Sequence, residues 1–318
     1  MYDGTSDSKR SEPTHLASLL DVESLDVNLY RSTDLRLPRG ARGIFGGQVI
    51  SQAIVAATKT VDQAFHLHSL HCYFVLNGLP TTIYYNVDRI RNGRSYSTRA
   101  VRAVQNGKTI FIMLCSFQKP EPWQPTYRSP MPKVAAPEEC ETLQVYYRKR
   151  ATEQTDDWAK GYFIVRAKMR ERSPIEVRQA AGGSQDGYYV QCHWMRAISL
   201  PECDAAYQKA VLGYISDVYF LETGSNALGL RESSEEGADV VAFFTTIDHS
   251  IWYYSDDFDC SQWLMFESRV PQVGSGRAIV HRRVFTRDGT LIANFSQEGV
   301  VRARVHGPEE SRKVESKL

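Results

Sequence analysis

The sequence has almost no net charge, no long apolar run and no paired cysteines, and each absence excludes a class of protein. Its 38 Lys and Arg are balanced by 37 Asp and Glu, a formal net charge of +1. A protein that grips nucleic acid needs a basic excess to release phosphate counterions, so no nucleic-acid partner is expected. A local basic patch for a phosphorylated ligand stays open. No apolar run approaches the roughly 18–20 residues that cross a bilayer, so no membrane span is expected. Met1 to Pro13 is polar and charged, unlike a secretory signal, and reads as part of a disordered tail. The six cysteines, Cys72, Cys115, Cys140, Cys192, Cys203 and Cys260, form no CxxC pair. A structural zinc site is therefore not expected, and buried free thiols are. Asn294-Phe-Ser296 fits the glycosylation pattern but lacks the secretory context that would use it. Gly40, Gly43, Gly46 and Gly47 do not make GxGxxG, and no GxSxG elbow exists. Nothing calls for a cofactor or a metal.

What is present is a globular core in two similar halves. The first, from about Leu19 to Pro120, holds the apolar helical stretch Gly47–Lys59. Apolar residues cover most of its circumference, which predicts a buried helix. Strand-like runs follow at His68–Val75, Thr82–Ile90, Tyr96–Val104 and Thr109–Gln118, with hairpin residues at Asn92-Gly93 and Asn106-Gly107. The second, from about Pro174 to Arg304, repeats the grammar. Tyr188–Ile198 leads to apolar Ala210–Leu221. Strand-like Val240–Ile247, Ile251–Tyr254, Trp263–Arg269, Ala278–Thr286 and Leu291–Phe295 come next, with Asp288-Gly289 before the last. His71-Cys-Tyr-Phe74 aligns with His249-Ser-Ile-Trp252, and Asn106-Gly107 with Asp288-Gly289. The offset is about 180 residues, the mark of a duplication. It aligns His68 with Thr246. Prolines at 120, 122, 125, 130, 132 and 137 then open a charged, partly helical connection. The expected division is a disordered tail at 1–17, units at 18–120 and 174–306 joined by a linker at 121–173, and a flexible tail at 307–318. A helix buried on most sides needs an enclosing surface, and a curved antiparallel sheet supplies one. A cleft is expected where the two units meet.

These motifs resemble one family. Phe45-Gly-Gly-Gln48, His68-Ser-Leu-His-Cys-Tyr-Phe74, Val104-Gln-Asn-Gly-Lys108, Ser116-Phe-Gln118, Tyr214-Ile-Ser-Asp217, Thr246-Ile-Asp-His-Ser-Ile-Trp252 and Gln297-Glu-Gly-Val300 are similar to the type II acyl-CoA thioesterases, bacterial and peroxisomal. The resemblance spans about Val22 to Arg304. It implies an α+β double hotdog: two fused repeats, each a central helix wrapped by a curved antiparallel sheet. It implies hydrolysis of fatty acyl-CoA to fatty acid and CoA, with Asp217, Thr246 and Gln297 orienting and activating the attacking water. The last residues, Ser316-Lys317-Leu318, match the peroxisomal address, which implies an import receptor as partner and the peroxisomal matrix as location. Two fused units already mimic the usual hotdog dimer and can pair further into a homo-oligomer.

The residue types suit the chemistry. A carboxylate such as Asp217 serves as base or orients a water. The Thr246 hydroxyl and Gln297 amide fix that water by hydrogen bonds. Gly46-Gly47, opening the first helix, is a candidate oxyanion site. Asp248-His249-Ser250 invites a triad reading, but neighbours in a strand face opposite ways. His68, a structural histidine otherwise, is a candidate for lining the cleft, and Arg91, Arg94 and Arg99 are candidates for meeting CoA phosphates. Two other activities stay open at this point: a hotdog hydratase acting on enoyl-CoA, and a non-catalytic acyl-CoA-binding protein.

Overall fold

The computed structural model describes residues 16–38, 41–230 and 240–304. Ser316-Lys317-Leu318 lies outside them. After a short helix α1 (Leu16–Leu20), the first half runs β1 (Val22–Asp26), β2 (Leu29–Ser32), α2 (Gly46–Thr58), β3 (His66–Phe74), β4 (Tyr84–Asn92), β5 (Tyr96–Gln105) and β6 (Lys108–Gln118). Helices α3 (Leu143–Thr152) and α4 (Asp157–Glu171) follow. The second half runs β7 (Ile175–Gln185), β8 (Tyr188–Ala197), α5 (Ala205–Ser216), a short α6 (Glu222–Ala227), β9 (Val241–Tyr253), β10 (Leu264–Gly274), β11 (Arg277–Thr286) and β12 (Leu291–Ala303).

All twelve strands form one antiparallel sheet, ordered β1-β2-β4-β5-β6-β3-β9-β12-β11-β10-β8-β7. Read from either edge inward, the two halves follow the same path. They join at the seam between β3 and β9, where His71 faces Ser250 and Leu70 faces Ile251. Each half is therefore a hairpin, a central helix and a four-stranded meander. Asn106 and Gly107, at φ 49° and 72°, turn β5 into β6. Both left-handed conformations are needed there, which is why Asn-Gly occupies the turn.

On the inner face, α2 and α5 pack against each other as well as against the sheet. Small residues allow the close approach: a Cβ on Gly213 would come within 2.7 Å of Ile54 Cδ1. The Ser51 hydroxyl donates to the Ala210 carbonyl at 2.7 Å. Gln48, Ser51 and Gln52 on α2 are as buried as its apolar residues. Burying them is tolerable because each is bonded; Gln48 and Gln52 both donate to the Leu19 and Asp34 carbonyls.

Three expectations need correction. The runs Val240–Ile247 and Ile251–Tyr254 are one strand, β9, with a bulge near Ile247. The hairpins β1–β2 and β7–β8 precede the central helices. Of their strands only β8 is legible, because β1 and β2 are 5 and 4 residues long and β7 ends in Ala-Ala-Gly-Gly-Ser-Gln. The duplication also has a different register. Inward-facing residues superpose only if Leu67 matches Thr246 and Leu70 matches His249, an offset of 179 with the bulges coinciding. Thr246 therefore has Leu67, not His68, as its counterpart.

Candidate active site

Asp217 caps the C-terminal end of α5. The antiparallel packing of α2 on α5 brings it to the N-terminus of α2, so the carboxylate and the N–H that holds it come from different halves. Gly47 N–H donates to Asp217 Oδ2 at 2.9 Å. A Cβ on Gly46 would sit 2.8 Å from the same oxygen and 2.9 Å from the Phe74 ring, so only glycine admits this approach. The expected oxyanion donor is thereby corrected in part: the Gly47 N–H is committed to Asp217. A carboxylate at a helix N-terminus is favoured by the helix dipole.

The bulge in β9 turns Thr246 inward, and β12 presents Gln297 beside it. Gln297 Nε2 donates to Asp217 Oδ1 at 2.8 Å and to Thr246 Oγ1 at 2.7 Å. An ionised carboxylate only accepts, which fixes the amide with its nitrogen toward Asp217. Thr246 accepts from Gln297, so its own hydroxyl proton can go to Asp217 Oδ1, 3.5 Å away, or to a bound water. The structure thus brings Asp217, Thr246 and Gln297 into one contact group.

Burial raises the Asp217 pKa to about 6, against the lowering effect of its bonds to Gln297 and Gly47; the nearby Glu222 adds to the rise. The side chains of Arg282 and Glu222 complete the setting. Arg282, fully buried, donates to the carbonyls of Ser216, Val218 and Tyr219 at 3.3, 3.0 and 2.7 Å and to Ser268 Oγ. It ties down the chain on both sides of Asp217. No sequence signal singled it out, since a lone arginine in a strand looks like a surface residue.

Asp217 and Thr246 open onto a cleft of about 1650 Å³. Phe45, Val49, Phe74, Ile110, Phe111, Leu221 and Phe243 form its apolar walls, and arginines from two segments line the rest. The other sequence candidates lie elsewhere. His249 points inward behind Gln297, with its ring against Phe220 and Phe295. Burial, then the Arg282 charge, lowers its pKa to about 3, so it stays neutral near pH 7. Asp248 faces outward and the Ser250 hydroxyl is within 3.0 Å of His71 Nδ1, so no triad forms. His68 bonds Ser116 across the outer face. Arg99 is no phosphate ligand: it is buried and donates to Thr60, Arg91, Asn92 and Thr98. Arg91 and Arg94 are exposed.

The paired repeats, each a helix wrapped by a curved sheet and fused through one seam, define a double-hotdog protein. Residues 33–118 match the acyl-CoA thioesterase N-terminal domain and residues 137–301 the acyl-CoA thioesterase C-terminal domain. The chain belongs to the type II acyl-CoA thioesterase family. It is 38% identical to acyl-coenzyme A thioesterase 8 of Rattus norvegicus, over 91% of this chain and 89% of that one. It is 25% identical to the peroxisomal acyl-coenzyme A thioester hydrolase 1 of Saccharomyces cerevisiae, over 86% and 88%. Among solved structures, the acyl-CoA thioesterase II TesB2 of Mycobacterium marinum superposes with a TM-score of 0.71 at 28% identity, covering 91% of this chain and 99% of that one.

Proposed function

We propose that this thioesterase hydrolyses fatty acyl-CoA by direct attack of a water held by Asp217 and Thr246, which Gln297 fixes in place. The convergence of the three side chains, with Asp217 and Thr246 lining a cleft that has apolar walls, carries the reading. Asp217 accepts the proton of the attacking water as the C–O bond forms, and can return it to the CoA thiolate that leaves when the tetrahedral adduct collapses and the C–S bond breaks. A base with a pKa near 6 is mostly ionised at neutral pH yet basic enough to take a proton. Gln297 holds the carboxylate and the threonine hydroxyl in fixed relation, and Thr246 directs its proton toward the water. Fixed placement contributes several kcal/mol by removing the entropy of assembly. The apolar walls take the acyl chain. Purified protein mixed with an acyl-CoA should release free thiol; stable binding without release would mark a carrier, and loss of enoyl absorbance without thiol a hydratase.

We also propose that residues 18–120 and 174–306 are the two hotdog units, with 121–173 between them. Peroxisomal delivery through Ser316-Lys317-Leu318 is supported by the motif itself and by the name of the yeast relative. A fluorescent fusion should reach peroxisomes, and removing the three residues should leave it in the cytosol.

A further inference from the structure

The cleft that Asp217 faces carries more positive charge than its surroundings neutralise. Arg36 and Arg42 reach it from the segment after β2, and Lys168, Arg170 and Arg172 from the end of α4. None of the five forms an ion pair with a described carboxylate. Of the four acids that line the cleft, Glu171 is held by Arg148 and Glu222 faces a sixth cation, Arg166; Asp217 accepts from Gln297 and Gly47, and Asp34 turns one oxygen back to the Leu35 N–H.

The two segments that carry the cations are also tied together. Arg36 Nη2 donates to the Arg172 carbonyl at 3.3 Å, joining positions 136 residues apart. Arg36 and Arg170 both act on the buried Tyr214 hydroxyl, one turn of α5 before Asp217. Arg170 Nη1 is buried without a hydrogen-bond partner among the described residues. The dipole of α4 accounts for Lys168 and Arg170 in its last turn. It does not account for Arg36, whose own N–H is pinned to Gln48 Oε1 at 3.0 Å. Gln48 and Gln52 also hold the Asp34 carbonyl, so two buried glutamines of α2 fix the segment that presents Arg36. Like charges gathered on rigid supports repel one another unless an anion joins them.

We infer that Arg36, Arg170 and Arg172, with Arg42 at the rim, dock the phosphates at the nucleotide end of the CoA carrier. This rests on the acyl-CoA reading above. Guanidinium forks match phosphate oxygens in pairs, and the diphosphate and 3′-phosphate are the strong charges of this substrate. The apolar walls then hold the acyl part, with Asp217 between the two regions.

The test is calorimetric binding of CoA, dephospho-CoA and pantetheine to the full chain and to Arg36→Gln, Arg170→Gln and Arg172→Gln, each checked by melting. The preference for CoA over pantetheine should fall about tenfold for each arginine removed, as loss of a charge-assisted bond requires. It should also become less sensitive to salt. If the loss persists with dephospho-CoA, the contact is to the diphosphate; if it vanishes, to the 3′-phosphate. An unchanged preference in variants that melt like the parent overturns the inference. If Arg36→Gln does not fold, Arg172→Gln still decides the matter, because the Arg172 side chain is exposed and bonds no described residue. Binding needs no turnover. Normal docking without thiol release would sink the hydrolase reading alone, and thiol release with an unchanged preference would sink this site alone.

Discussion

Where β9 presents Thr246, β3 presents Leu67; where β12 presents Gln297, β6 presents Cys115. The residue that caps α5 is Asp217, and the residue that caps α2 is Lys59, whose ammonium donates to the Val22 carbonyl. Strand order, bulge position and helix packing are shared by the two halves, but the polar group exists in only one. The frame therefore does not dictate the chemistry. It creates two equivalent places at helix ends, and side-chain identity decides which of them is polar. Both halves also bury an arginine near the end of the central helix, Arg99 on β5 and Arg282 on β11. The two lie out of register along their strands, yet each donates to backbone carbonyls just past the helix. Those carbonyls have no intrahelical partner, so the need is structural and recurs in both halves.

The comparison can be broken most sharply by substituting paired positions. Gln297→Leu should lower kcat by about two to three orders of magnitude, the scale of removing one preorganised polar group. Cys115→Ala, at the matching place in the first half, should leave kcat within about twofold in a steady-state thiol assay. Comparable losses at both would mean that the halves share the chemistry.

The buried arginines come next. Arg99→Met and Arg282→Met should each destabilise by about 2–4 kcal/mol in denaturant melts, because backbone carbonyls lose a charged donor. Only Arg282→Met should also reduce kcat more than tenfold, since its partners flank Asp217. Gly46→Ala is a smaller change with a directed effect. Its methyl would press on Asp217 Oδ2 and Phe74, and kcat should fall about tenfold with stability lowered by about 1 kcal/mol.

A further effect, confined to one range of pH, concerns stability. The folded pKa of Asp217, about 6, lies above the ordinary value of 3.8. The native state thus holds this proton more tightly than the unfolded chain does. Its ionisation weakens the fold fully above pH 6, and that penalty disappears as pH falls through 6 toward 4. Asp217→Asn should therefore raise stability at pH 8 by up to about 2 kcal/mol, and by little at pH 4. A gain that did not depend on pH would point to packing instead.

Much of this was legible in the residues. Helices α2 and α5 stand out because apolar side chains surround them, and the meanders because Asn-Gly and Asp-Gly punctuate β-rich runs. Asp217, Thr246 and Gln297 were legible only through family motifs; taken singly, an aspartate after a helix or a threonine in a strand is unremarkable. The register of the duplication was not legible. Matching two histidines, His71 and His249, gave an even offset, which swaps inner and outer faces, whereas burial requires an odd one. Nor could the roles of Arg282, Gln48 and Gln52 be read, because each depends on carbonyls brought near by the fold. The sequence did suggest a phosphate site at Arg91, Arg94 and Arg99; Arg99 is consumed inside the core, while Arg36 and the Arg172 carbonyl meet only through tertiary structure.

The most direct measurement is thiol release from an acyl-CoA by Asp217→Asn, followed at pH 5 to 8 beside the parent enzyme. The parent kcat/KM should climb through an inflection near pH 6 and level off, and the variant should be slower by about three orders of magnitude with no such inflection. A variant that kept turnover within a few-fold of the parent, with the same inflection, would contradict the assignment of the water-activating carboxylate to Asp217.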